Sequence, residues 1–244
     1  MKKRLCTHPG KFGDILWSLA TARELAKRDN QPVDFAIRPP YHSLIKLLED
    51  QDYIAEVIVI ESWKSWGSPF GDQPWNSPPT GRQYAAVTDL GYRRHPTFQL
   101  MHYTAMQQGI TLPESSVFPF LKIPATVVKD AAVIACGFSP EGTYAASKKQ
   151  FLESLRIALP EKRFEELNLL PWEQVPARIA SSLCFLGCRS ALAVCAHGVH
   201  ATAVIFEPQV ARHALWFAPG TSAHEHMVKT VEEAVELIRS LCVS

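Results

Sequence analysis

The sequence has almost no charge excess: 25 Lys and Arg against 24 Asp and Glu leave a formal +1 at pH 7. That balance gives no support for a partner recognised by bulk charge, such as a polyanion or an anionic membrane surface. No stretch reaches the roughly 18 uninterrupted apolar residues of a membrane helix. The longest candidate, 191–206, is broken by His197, Gly198 and His200. The only basic run, Lys2-Lys3-Arg4, is followed by a polar stretch and not by the apolar core of a signal peptide. These absences predict a cytoplasmic protein with no stable membrane insertion. No GxGxxG, GxSxG or HExxH motif occurs, and there is no internal repeat or low-complexity segment.

Cysteine is not scarce, but its pattern is uninformative. Cys6, Cys136, Cys184, Cys188, Cys195 and Cys242 read as reduced thiols where no secretory signal is evident. Cys184, Cys188, Cys195, His197 and His200 invite a zinc reading. Their spacing matches no paired CxxC pattern, however, and Cys184 falls in a strand while Cys195 falls in a helix. No metal is expected.

What is present is an alternation of strands and helices. Strands are predicted at 4–7, 33–37, 54–60 and 84–88, and helices at 14–28, 41–49 and 97–109. The prolines 113, 119 and 124 punctuate the stretch 109–130, which reads as a linker. The pattern then restarts, with strands at 131–136, 183–186, 201–206 and 214–217. Helices follow at 148–159, 172–181, 190–199 and 224–241. The chain therefore divides into two α/β domains, 1–125 and 126–244, each with a parallel sheet flanked by helices. Ligands of such sheets bind at the carboxyl ends of the strands.

Three strand-to-helix turns lie at such ends. The first is Gly10-Lys11-Phe12-Gly13-Asp14. Its glycines allow a sharp turn, and a carboxylate at that helix start can take a proton from a hydroxyl; equally, Asp14 can serve as a helix cap. The second runs from Gly137 through Ser139 to Gly142, with Lys148 and Lys149 beyond. Thr143 stands where a P-loop would carry lysine, yet free N–H groups and two cations can hold a diphosphate. Cations at a helix N-terminus oppose the dipole unless an anion is nearby. The third is Gly187-Cys188-Arg189-Ser190, where a helix start and an arginine suit phosphate. A long loop over 61–83, rich in Trp, Pro and Gly, is either functional or packed onto its domain.

These turns, in this order, resemble glycosyltransferase family 9, the lipopolysaccharide heptosyltransferase family. Its members open with a short strand, a Gly-x-Gly-Asp turn and an apolar helix start. Here that is Lys11-Phe12-Gly13-Asp14-Ile15-Leu16-Trp17-Ser18-Leu19-Ala20, with Lys11 at the first family glycine. Phe185-Leu186-Gly187-Cys188-Arg189-Ser190-Ala191 is similar to the family's strand and Gly-x-Asp-Ser-Gly. Arg189 replaces the aspartate, Ala191 the glycine, and Val194 a family histidine. The chain resembles a divergent, shortened member.

The resemblance implies a GT-B fold of two Rossmann-like lobes facing a central cleft. It implies metal-independent, inverting transfer of a sugar from a nucleotide-activated donor to an acceptor hydroxyl, with no cofactor. Asp14 would be the general base. Gly137, Ser139, Gly142, Lys148, Lys149, Arg189 and Ser190 would bind the donor. Lys11, Phe12, Gly13, Trp63 and Trp66 would face the acceptor, a glycan, a lipid-linked saccharide or a nucleic-acid base. The alternative is a catalytically degenerate GT-B-like protein that binds a nucleotide or another partner.

Overall fold

The computed structural model describes residues 3–8, 10–61, 81–91, 100–112, 119–138, 145–207 and 225–242. The chain divides into two compact units, with Lys122 the last residue before the division and Ile123 the first after it.

In the first unit β1 (Arg4–Thr7), β2 (Val33–Ile37), β3 (Ile54–Val59) and β4 (Ala86–Asp89) form a parallel sheet in the order β3-β2-β1-β4. Leu5, Ala36 and Ile60 make a small buried cluster with Ile58, Tyr84 and Val87 against it. The first helix, α1, runs Phe12–Asp29, two residues longer at its start than its apolar spacing predicts. Trp17, Ser18, Ala20 and Thr21 are buried along with the apolar stripe, so α1 is enclosed on nearly every side. Asn30 ends it in the left-handed conformation (φ 50°), and Gln31 N–H closes back to Ala26 C=O at 3.1 Å.

The helix predicted over 41–49 is a 3-10 turn, Pro39–Leu44, followed by a short α2, Ile45–Glu49. Paired prolines favour a tight first turn. α3 (Leu100–Gln107) lies beside α1. Part of the predicted linker is core instead. Phe120 and Leu121 are buried, and the Phe120 ring lies 6.3 Å from that of Trp17. Phe120 C=O accepts the Tyr53 hydroxyl at 2.7 Å, and Lys122 N–H donates to Gln51 Oε1 at 2.8 Å.

In the second unit β5 (Asp130–Gly137), β6 (Arg163–Glu166), β7 (Ser182–Gly187), β8 (Ala203–Phe206) and β9 (Glu225–Val228) form a parallel sheet in the order β6-β5-β7-β8-β9. Its helices are α4 (Ala145–Ala158), α5 (Val175–Ser181), α6 (Ala191–Gly198) and α7 (Val231–Leu241). Ile134, Cys136, Cys184, Leu186, Val204 and Val228 of the strands join Phe151 and Leu155 of α4 and Ala234 and Ile238 of α7 in one core.

Two elements of the second unit take a secondary structure that the sequence pattern does not predict. β6 carries little strand signal, being Arg-Phe-Glu-Glu; as an edge strand it tolerates charge, and Arg163 pairs with Asp130 at 2.9 Å. The closing helix begins at Val231 and not at 224, because 225–228 pair with β8. Thr230 caps the helix: its hydroxyl accepts Glu233 N–H at 3.2 Å, and Glu233 accepts Lys229 N–H at 2.6 Å. The strand predicted at 214–217 lies outside the described residues. Among the described residues, no helix is long and apolar enough to cross a membrane.

Candidate functional site

In the first unit the chain leaves the carboxyl end of β1 and turns into α1 within four residues. Lys11 is the N-cap, extended at φ −76° and ψ 172°. Asp14 is therefore the third helical residue and not the cap itself, which corrects the start predicted at 14. Its carboxylate still serves the helix end, since Oδ2 accepts the Lys11 N–H at 3.2 Å. Asp14, Gly13 and Phe12 are half-buried and Lys11 is exposed.

Residues that no sequence motif marks surround this turn. His8 is fully buried, and its Nδ1 accepts the Gly10 N–H at 3.0 Å. Burial pushes its imidazole down to about 3, so the ring is neutral at physiological pH. With Nδ1 as acceptor, the proton sits on Nε2. Gly10 must be glycine: a Cβ there would lie 2.6 Å from His8 Cε1 and 2.8 Å from Asp14 Cβ. At the end of β2, Tyr41 meets Phe12 edge-to-face at 5.1 Å, and the Arg38 guanidinium lies 6.0 Å from the Tyr41 ring. At the end of β4, Asp89 accepts the Gly91 N–H at 2.8 Å. Only the position of His8, directly after a strand and before a Pro-Gly turn, could have drawn attention to it.

In the second unit β5 and β7 end side by side, with Gly137 opposite Gly187. Packing requires both glycines. A Cβ on Gly137 would fall 2.5 Å from the Phe185 ring, and one on Gly187 would fall 2.6 Å from Gly137 C=O. Ser190 caps α6 through an Ala193 N–H bond at 3.5 Å. Arg189 is directed inward: its Nε lies 3.9 Å from Glu207 Oε2, with the two side chains 9% and 12% exposed. Its Nη2 lies 3.4 Å from Met227 Sδ.

Lys148 and Lys149 stand a turn inside α4, because that helix starts at Ala145 and not at 148. The conflict with the dipole anticipated for them is correspondingly weaker. Lys149, 80% exposed, lies 3.9 Å from Glu153 one turn on. The second unit thus brings together Gly137, Gly187, Arg189 and Ser190 at its strand ends, and carries the two lysines on a helix. Ser139, Gly142, Trp63 and Trp66 lie outside the described residues. The six cysteines are unpaired and all but Cys242 are buried. Burial holds the Cys136 and Cys184 thiols up at about 12.

No protein-family model matches the sequence, and no curated protein does. Solved structures match along nearly the whole chain. The glycosyl transferase family 9 protein of Veillonella parvula DSM 2008 superposes with a TM-score of 0.66 over 99% of this chain and 97% of that one, at 10% identity. E. coli heptosyltransferase WaaC, solved with ADP-2-deoxy-2-fluoro heptose, gives 0.62 over 98% and 99%, at 11% identity. E. coli ADP-heptose lps heptosyltransferase II gives 0.61 over 99% and 98%, at 16% identity. The fold is that of family 9 heptosyltransferases, of the GT-B type, with two parallel sheets and flanking helices.

Proposed function

We propose that this protein is a glycosyltransferase that moves a sugar from a nucleotide-activated donor to an acceptor hydroxyl by direct, inverting displacement. The observation that carries the reading is Asp14: a half-buried carboxylate, tethered by the Lys11 N–H, in the first turn after the first strand of a parallel sheet. On this reading Asp14 draws the proton from the acceptor hydroxyl as that oxygen attacks the anomeric carbon. The leaving nucleoside diphosphate is met by the N–H groups at the start of α6 and by Lys148, Lys149 and Arg189. On this reading Lys11, Phe12 and Gly13 line the acceptor side. The acceptor is a saccharide, free or lipid-linked. Fixed cations and amides take the place of a metal, and the protein works in the cytoplasm, where its unpaired thiols stay reduced.

The structure of E. coli heptosyltransferase WaaC was solved with ADP-2-deoxy-2-fluoro heptose, so ADP and ADP-heptose head the candidate donors. The test is a melting-temperature panel of ADP, UDP, GDP and their sugar conjugates, with and without EDTA, followed by transfer assays with the stabilising donor. ADP or another nucleoside diphosphate should raise Tm equally with and without EDTA. Alanine at Lys148, Lys149 or Arg189 should weaken that binding, by roughly ten- to a hundredfold for each charge-assisted phosphate bond removed. A requirement for divalent metal, or a triple alanine variant that binds as tightly as the parent, would overturn the donor assignment.

One observation favours a second reading, a binding protein without turnover: Arg189, at the position of the family aspartate, is turned toward Glu207. Nucleotide binding with no transfer to any acceptor would decide for it.

A further inference from the structure

In the turn between β1 and α1 the amides of Gly10 and Lys11 are committed to side chains. Gly10 N–H donates to His8 Nδ1, and Lys11 N–H donates to Asp14 Oδ2. The His8 ring and the Asp14 Cβ close on Gly10 so tightly that a methyl group there would stand within 3 Å of both. His8 itself is anchored to the sheet, where its N–H donates to Ala36 C=O at 3.2 Å. The His8 ring, Gly10 and the Asp14 Cβ thus crowd together between the end of β1 and the first turn of α1.

We propose that His8 is a positioning residue for Asp14: its imidazole acceptor and its bulk fix the Gly10 turn, and the turn fixes where the Asp14 carboxylate stands. The inference rests on the proposed role of Asp14 as base. A base works only within hydrogen-bond reach of the proton it takes, and a misplacement of about 1 Å can cost on the order of a hundredfold in rate. A glycine turn is flexible by nature, so something must hold it. A neutral histidine suits the task, because it offers an acceptor at Nδ1 without bringing a charge beside the base. His8 is no proton carrier itself, since it is sealed from solvent and stays neutral.

The experiment compares His8→Asn with His8→Leu. Asparagine offers an oxygen near the place of Nδ1, whereas leucine keeps bulk but accepts nothing. Both should lower Tm, since both disturb a buried site. Only leucine should slow ADP release from ADP-heptose, with water or an added glycan as acceptor. The expected loss in kcat is about ten- to a hundredfold, with KM for the donor within about twofold of the parent. His8→Leu with parental kcat, or His8→Asn as slow as His8→Leu, overturns the proposal.

Amide hydrogen exchange judges the clamp without any turnover. The Gly10 N–H should be protected in the parent and in His8→Asn, and should exchange freely in His8→Leu. If the parent transfers nothing from any sugar conjugate of the donor panel but this pattern holds, the assignment as a transferase fails while the clamp stands. If Gly10 is unprotected in the parent, the clamp fails whatever the activity.

Discussion

Arg189 and Glu207, both about nine-tenths buried at their side chains, face each other at 3.9 Å beside the start of α6. Neutralising that carboxylate takes a charged partner from a buried arginine. Glu207→Gln should therefore destabilise the protein by about 1–3 kcal/mol, read as a shifted urea midpoint. If Arg189 also serves a diphosphate, ADP should stabilise the Gln variant more than it stabilises the parent. An equal gain in both would assign Arg189 to structure alone.

Asp14 separates catalysis from helix capping. Asp14→Asn keeps an oxygen for the Lys11 N–H, so its melting temperature should stay near the parent's. Its transfer rate should fall by about 10²–10⁴-fold, the usual contribution of a positioned base. Asp14→Ala removes the bond as well and should lower stability by about 0.5–1.5 kcal/mol. Parental turnover in the Asn variant would remove Asp14 from the mechanism.

His8 gives the first unit an acid-sensitive component. The unfolded chain takes up a proton on this histidine near pH 6.5, whereas the folded chain resists until about 3. Its contribution is complete above pH 6.5 and is lost progressively as pH falls below that value. Between about pH 7.5 and 5 the loss amounts to about 2 kcal/mol. The carboxylates of Asp29, Glu56 and Asp130, held down chiefly by hydrogen bonds from Arg4, Arg82 and the Ala132 amide respectively, add their own loss at lower pH. His102, half-buried and also held down by burial, contributes in the same interval, so the difference between variant and parent is the quantity to read. His8→Leu should flatten the pH dependence of stability there; an unchanged slope would mean that His8 is solvated.

Gly137 reads from sequence as a donor-loop residue, yet Phe185 alone accounts for its lack of a side chain. Gly137→Ala should destabilise by about 1–3 kcal/mol through overpacking against that ring. Combining it with Phe185→Leu should cost less than the sum of the two single changes, as expected for neighbours that press on one another. Strict additivity in urea melts would point instead to a backbone requirement at Gly137.

Much of the fold is legible because it is written in local periods. Ile15, Leu16, Leu19, Ala22, Leu25 and Ala26 repeat at helical spacing, and 33–37 and 54–59 are β-rich runs, so these elements stand where their patterns put them. The turn into α1 also leaves a sequence mark in its glycines, although the helix takes in Gly13 and Asp14 and starts at Phe12. What the sequence does not decide is which residues meet. β6 is polar and β9 brief, and both become strands only because a neighbouring strand offers its edge. Phe120 reads as linker and is core because the Trp17 side of α1 needs a cover. Arg38 and Tyr41 lie far from Asp14 in sequence, and the parallel pairing of β1 with β2 brings them to the same end of the sheet as the turn into α1. The inward turn of Arg189 follows from Glu207 at the end of the next strand. Periodicity is a property of neighbours along the chain, whereas a site is assembled from strand ends, and only the pairing of distant strands brings those ends together.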